Sequence, residues 1–211
     1  MRFFIVLLGF TVFMAASARA EVTVYELFTA RNCPSCPPAD ALFREVARSN
    51  PDVIALSCHV TYFDRPGRTD SLGAEFCDGR QTGYRQSRVL PQIFTPAGVI
   101  NGDQAIKSSD ADSLISGLRL GKSGGVQKVH LSVQDGYLNV MLPSVPLSAA
   151  AEVWLFAYDS GHAVRFLTKL MSWNGKPVAM AFPVQNIPAA GYAVIAQTAI
   201  QTEILAAGKT N

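Results

Sequence analysis

The stretch TARNCPSCPPADALFREVA, Thr29 to Ala47, decides the fold. It sets two cysteines two residues apart between a strand pattern and a helix pattern. Upstream, EVTVYELFTA is β-branched and aromatic and reads as a strand. Downstream, PPADALFREVARS carries Leu42 and Val46 on one helical face and opens on prolines, which a first turn tolerates. In this reading the helix starts at or just after Cys33, with Asn32 as its N-cap. Cys33 is then the exposed sulfur and Cys36 the one turned toward the helix interior. A C-x-x-C in that position suits thiol-disulfide exchange, because the helix terminus stabilises a thiolate and the second thiol resolves the mixed disulfide.

Working outward, the first twenty residues have a basic start at Arg2, an apolar run from Phe3 to Met14, and Ala18-Arg19-Ala20 before Glu21. That is the pattern of a secretory signal, too short for a membrane anchor of roughly 20 apolar residues. The mature chain is therefore expected from Glu21, periplasmic or secreted, with no stable membrane insertion after signal cleavage. A net charge of +2 without a Lys/Arg run gives no reason to expect nucleic acid as a partner.

From Glu21 to Gly121 strand and helix signals alternate. DVIALSCHVTYF is a nearly continuous apolar run, as in a strand buried on both faces. SLGAEFCDGRQTGYRQS is polar and ambiguous, and reads as a helix with an entry loop. QIFTPAGVINGDQAI reads as two short strands around Asn101-Gly102, and SSDADSLISGLRL as a capped helix. The order is β-α-β-α-β-β-α. GKSGG, Gly121 to Gly125, makes a flexible boundary. Beyond it, from Val126, the hairpin QKVHLSVQDGYLNVMLP and the short runs AEVWLFAYDS, KPVAMAFPV, GYAVIAQT and TEILAAGK suggest a small antiparallel, sandwich-like β-rich domain. The fold class is thus α/β over 21–121 followed by a β-rich domain over 126–211.

The four cysteines, Cys33, Cys36, Cys58 and Cys77, suggest two pairs in an oxidising compartment, with three connectivities open. A bridge between Cys58 and Cys77 is the plain structural reading, worth roughly 3 kcal/mol by loop closure. A second redox pair and two unpaired thiols are its alternatives. For Cys33 and Cys36 the alternatives to exchange are a permanent staple in a binding module and a copper site with His59, since soft thiolates select Cu(I). No two-pair zinc spacing and no G-x-S-x-G elbow is present, and no resident metal or diffusible cofactor is expected. Tyr62, Phe63 and the loop after them either line a groove beside the dithiol or form an ordinary solvated loop. His130 and His162 attract no role, and Trp154, Phe156 and Trp173 read as core aromatics.

ELFTARNCPSC, FTPAGVING and the element order resemble the thioredoxin superfamily. The resemblance implies that Glu26 relays protons to the resolving thiol. It also implies that Pro96 is a cis-proline facing the dithiol and that the Thr95 backbone pairs with a bound peptide. ELFT..NCPSCPPAD, DVIAL..HVTYFDR, RQ..Y, TP...ING and VWLFAYD are similar, over nearly the whole mature chain, to a secreted bacterial thioredoxin-like family catalogued as domain-of-unknown-function 1223. The implied activity is thiol-disulfide exchange with a protein or peptide substrate and a redox recycling partner.

Overall fold

A computed structural model describes residues 22–147 and 150–210; the expected signal, residues 1–20, lies outside them. β1 (Thr23–Thr29), α1 (Pro37–Ser49), β2 (Val53–His59), α2 (Glu75–Gln86), β3 (Ala97–Ile100), β4 (Gln104–Ile106) and α3 (Ala111–Lys122) follow the expected order. Their sheet runs β2-β1-β3-β4, with β1 parallel to β2 and antiparallel to β3. This is the thioredoxin-like arrangement. Alternation along β1 sorts its side chains. Tyr25 and Leu27 face Phe43 and Val46 of α1 and Leu114 of α3. Val24 and Phe28 face the opposite side with Cys77 and Tyr84 of α2.

The helix begins later than the cysteine pattern implied. α1 opens at Pro37, with Cys36 as N-cap and prolines in its first two positions. Only there do missing N–H groups cost no intrahelical bond, so the two prolines fix the start. Residues 31–36 are turns, and Asn32 bonds Arg68 instead of capping. The Asn101-Gly102 hairpin has a three-residue loop, since Ile100 pairs with Gln104.

Beyond the glycine-rich junction come β5 (Gln127–Lys128), β6 (His130–Gln134), β7 (Tyr137–Leu142), β8 (Ala151–Tyr158), β9 (Val164–Trp173), β10 (Val178–Pro183), β11 (Gly191–Thr198) and β12 (Ile204–Lys209). They form a three-stranded sheet, β10-β7-β6, and a five-stranded sheet, β5-β12-β11-β8-β9. Asp135 and Gly136 both adopt positive φ, as the tight β6–β7 turn requires. β9 has no counterpart in the sequence reading.

The five-stranded sheet is buried on both sides. Val153, Leu155, Val194 and Ala196 pack against Leu138 and Val140 of the three-stranded sheet, completing a sandwich. The alternate residues Phe156, Tyr158, Ala193 and Ile195 join Val24, Phe28 and Tyr84 in one core. The two halves therefore share apolar interior across the junction.

Three contacts fasten the halves further. The Ser57 N–H donates to the His162 carbonyl at 2.9 Å, capping the free edge of β2. The His162 ring stacks on Tyr158 with centroids 5.2 Å apart, and its Nδ1 lies 3.2 Å from the Ala55 carbonyl oxygen. Burial lowers the His162 pKa, with Lys209 adding to the effect. Asn101 receives the Val24 N–H on its side-chain oxygen at 2.9 Å, and its carbonyl accepts the Ile204 N–H at 2.8 Å.

Candidate functional site

Two disulfides are present, Cys33–Cys36 in the turn before α1 and Cys58–Cys77 between β2 and α2. Cys58 and Cys77 are 2% and 0% exposed, deep in the shared core. Cys33 is also buried, at 3%, while Pro34 and Ser35 between the cysteines are exposed. The expectation of an exposed Cys33 is thus corrected for the oxidised form. The late helix start leaves Cys33 inside the turn and puts the exposed edge at Pro34-Ser35.

The Thr95–Pro96 peptide is cis and lies against this turn. The Ser35 hydroxyl donates to the Thr95 carbonyl at 3.4 Å, and Cys33 Sγ is 3.5 Å from the same hydroxyl. Among the described residues the Thr95 N–H makes no backbone hydrogen bond. Among the described residues the buried Thr95 side-chain hydroxyl has no hydrogen-bond partner. The helix α2 holds this loop, because the buried Gln81 amide donates to the Phe94 carbonyl at 2.6 Å and accepts from the Tyr62 hydroxyl at 3.2 Å. Asp78, one turn earlier on α2, accepts both the N–H and the hydroxyl of Thr61.

Glu26 is bonded to α2. Its carboxylate takes both Nε and a terminal nitrogen of Arg80, and the hydroxyl of Tyr84. Among the described residues none of its hydrogen bonds reaches a thiol. A cation supplied 54 positions later bonds both carboxylate oxygens, so the structure ties Glu26 to Arg80 and Tyr84. Arg80 also donates to Gln197 of β11 at 3.1 Å, and its guanidinium sits 4.8 Å from the Phe156 ring centre. Burial would lower the Arg80 pKa, but the Glu26 charge outweighs it and holds the guanidinium firmly protonated. Burial likewise raises the Tyr84 pKa. This buried network joins β1, α2 and β11. Sequence reasoning noted RQ..Y only as a resemblance; an Arg, a Gln and a Tyr buried on an otherwise polar helix have no apolar periodicity to reveal them.

His59 lies on the other face of β2 from Cys58. Its Nδ1 is 2.7 Å from Asp70, whose carboxylate also accepts the Arg31 and Leu72 N–H groups. Burial pushes the Asp70 carboxyl up, but those bonds outweigh it and leave its pKa below the ordinary value. Asp40 of α1 accepts the Thr29 hydroxyl at 2.7 Å, and burial raises its pKa. The structure gathers no cluster of three or more His, Cys, Asp or Glu suited to a metal among the described residues, so the Cys33–Cys36–His59 copper set is not assembled. No helix among them is long and apolar enough to cross a membrane.

A family model described as a protein of unknown function (DUF1223) matches residues 24–168. The chain belongs to this family. No curated protein matches it. It is similar to the crystal structure of a protein from Agrobacterium tumefaciens, at 27% identity and a TM-score of 0.79. That match covers 90% of this chain and 94% of the other.

Proposed function

We infer that this DUF1223 protein is an exported thiol-disulfide oxidoreductase of the thioredoxin superfamily, working in the periplasm or outside the cell through Cys33–Cys36. The observation that carries the reading is the Thr95–Pro96 loop bonded against the Cys33–Cys36 turn, with the Thr95 N–H, unpaired to backbone among the described residues, open to an incoming strand. A peptide laid beside Thr95 brings its own sulfur to the disulfide by strand addition.

In the oxidising direction the substrate thiolate attacks Cys33 Sγ. The Cys33–Cys36 bond breaks, Cys36 leaves as a thiolate and then takes a proton. A second substrate thiolate attacks the substrate sulfur of the mixed disulfide and expels Cys33. The substrate loses two electrons and the pair gains them; a recycling partner, itself a disulfide, restores it. With Cys33 buried, the first attack requires the Pro34-Ser35 turn to move. No diffusible cofactor enters these steps, and Glu26 takes no part in them.

The burial of Cys33 favours one rival, a binding module stapled by a permanently closed pair. Titration in glutathione buffers, read by alkylation and mass spectrometry with Cys33→Ser alongside, separates the two. Opening between roughly −120 and −270 mV is the expected result; a pair still closed below roughly −300 mV refutes exchange.

A further inference from the structure

The turn that carries the cysteines is roofed by a loop with unusual charge. Arg65 and Arg68 exchange backbone hydrogen bonds at 3.3 and 2.9 Å around the tight turn Pro66-Gly67, with Gly67 at φ 75°. This short hairpin is clamped onto the residue before Cys33. The Asn32 amide donates to the Arg68 carbonyl at 2.9 Å, and Arg68 Nε donates to the Asn32 side-chain oxygen at 2.9 Å. Arg31, next along the same turn, is held by its N–H on Asp70 at 2.7 Å. Arg31, Arg65 and Arg68 are all exposed.

The nearby carboxylates are engaged elsewhere. In the loop, Asp64 accepts the Asp70 N–H, and Asp70 is 5% exposed and bonded to His59; on α2, Asp78 holds Thr61. Among the described residues none of them forms an ion pair with the three arginines. The exposed Tyr62 packs at a tilt against Phe63, with ring centres 5.2 Å apart, and bonds Gln81, which holds the Phe94 carbonyl; Ile93 is exposed just before the cis peptide. Arg68 is thus tied to the cysteine turn through Asn32, and Tyr62 to the loop that carries Thr95.

We propose that Arg31, Arg65 and Arg68, fixed on the Cys33 turn, select cysteine-containing peptide segments that carry carboxylates beside the reacting cysteine. The proposal rests on the exchange reading above. An extended segment paired at Thr95 places its flanking acidic side chains over the arginines and an apolar one against Tyr62. Guanidinium groups take carboxylates in a bidentate fork, and a border of like charge raises the local concentration of anionic partners.

The test uses the mature chain with matched peptides whose single cysteine is flanked by Glu, Gln or Lys. Rates of mixed-disulfide formation are followed at about 0.02 and 1 M salt, where the screening length falls from tens of ångströms to about 3 Å. Dithiothreitol serves as the uncharged control, and affinities are measured for the same peptides with Ser in place of Cys. The Glu peptide is expected to react about tenfold or more faster than the Lys peptide at low salt and to lose most of that lead at high salt. Arg65→Glu, an exposed change that breaks no side-chain hydrogen bond of the clamp, lowers the border from three positive charges to a net one and is expected to shrink the lead of the Glu peptide severalfold while leaving the dithiothreitol rate unchanged. Equal rates and equal affinities for the three peptides overturn the selection and leave exchange standing. A pair that dithiothreitol cannot open overturns both.

Discussion

Replacing Arg80 by Met removes the cation from a pair whose side chains are 3% and 2% exposed. The Glu26 carboxylate then stays in the shared core with Tyr84 as its remaining donor, and Gln197 Oε1 loses its 3.1 Å partner. Breaking a buried pair from one side costs about 3–5 kcal/mol, chiefly because the surviving charge is left without compensation. At about 2–4 °C per kcal/mol for a chain of this size, Tm should fall by about 6–20 °C. Glu26→Met/Arg80→Met removes both charges and should lie within about 1 kcal/mol of the parent, or above it. Urea unfolding of the three proteins at pH 7, followed by far-UV circular dichroism, measures all of this. If Arg80→Met and the double variant are equally stable at pH 7, the uncompensated charge is not what the network prevents, and the reasoning fails. The folded double variant should also keep exchange at Cys33–Cys36; loss of exchange there would return Glu26 to the chemistry.

Opening Cys58–Cys77 as a pair of alanines should cost about 3 kcal/mol, whereas Cys33→Ser/Cys36→Ser, which releases a loop of separation 3, should cost about half as much; denaturant midpoints under non-reducing conditions measure the contrast. The lowered His162 pKa means its stabilising contribution is complete above the ordinary value of about 6.5 and drains away as pH falls below it. His162→Gln should remove that part of the acid sensitivity, and an unchanged slope of stability between pH 5 and 7 would contradict it. Asp70, held below the ordinary carboxyl range, contributes above about pH 4 and loses its effect as pH falls through its lowered pKa. Asp70→Asn should flatten this acid limb, and proton exchange at the Arg31 and Leu72 amides, read by NMR, should quicken. A variant as protected as the parent at both amides would show that the carboxylate does not organise the turn.

Much of the α/β half was legible because its signals are local. The strand ending at Thr29, the helix of Leu42 and Val46, and the two-sided strand before His59 are each written in consecutive residues. The helix start was misplaced because an N-cap pattern and two prolines pointed to different residues, and the prolines prevailed. The site was half legible. Thr95–Pro96 came from a resemblance, while Arg80, Gln81 and Asp78 act through partners 54, 13 and 17 positions away. Hydrogen bonds over such separations leave no periodic mark. β9, Val164–Trp173, was missed for a different reason. It is an edge strand paired to β8 alone, and its mixture of Arg, Thr, Lys and Ser hides the alternation.

The two-sided burial of the five-stranded sheet bears on how the molecule can be cut. A chain ended at Lys122 would uncover Val24, Phe28 and Tyr84, and one begun at Val126 would uncover Phe156 and Ile195. Neither fragment would be a soluble module, and grafting a foreign partner at the glycine junction would leave both pieces without a matching surface. Residues 21–211 together should melt in one transition, with calorimetric and van't Hoff enthalpies equal. Substitutions on the sheet should be felt at the cysteine turn, because the layer that stiffens one half is the same layer that closes the other.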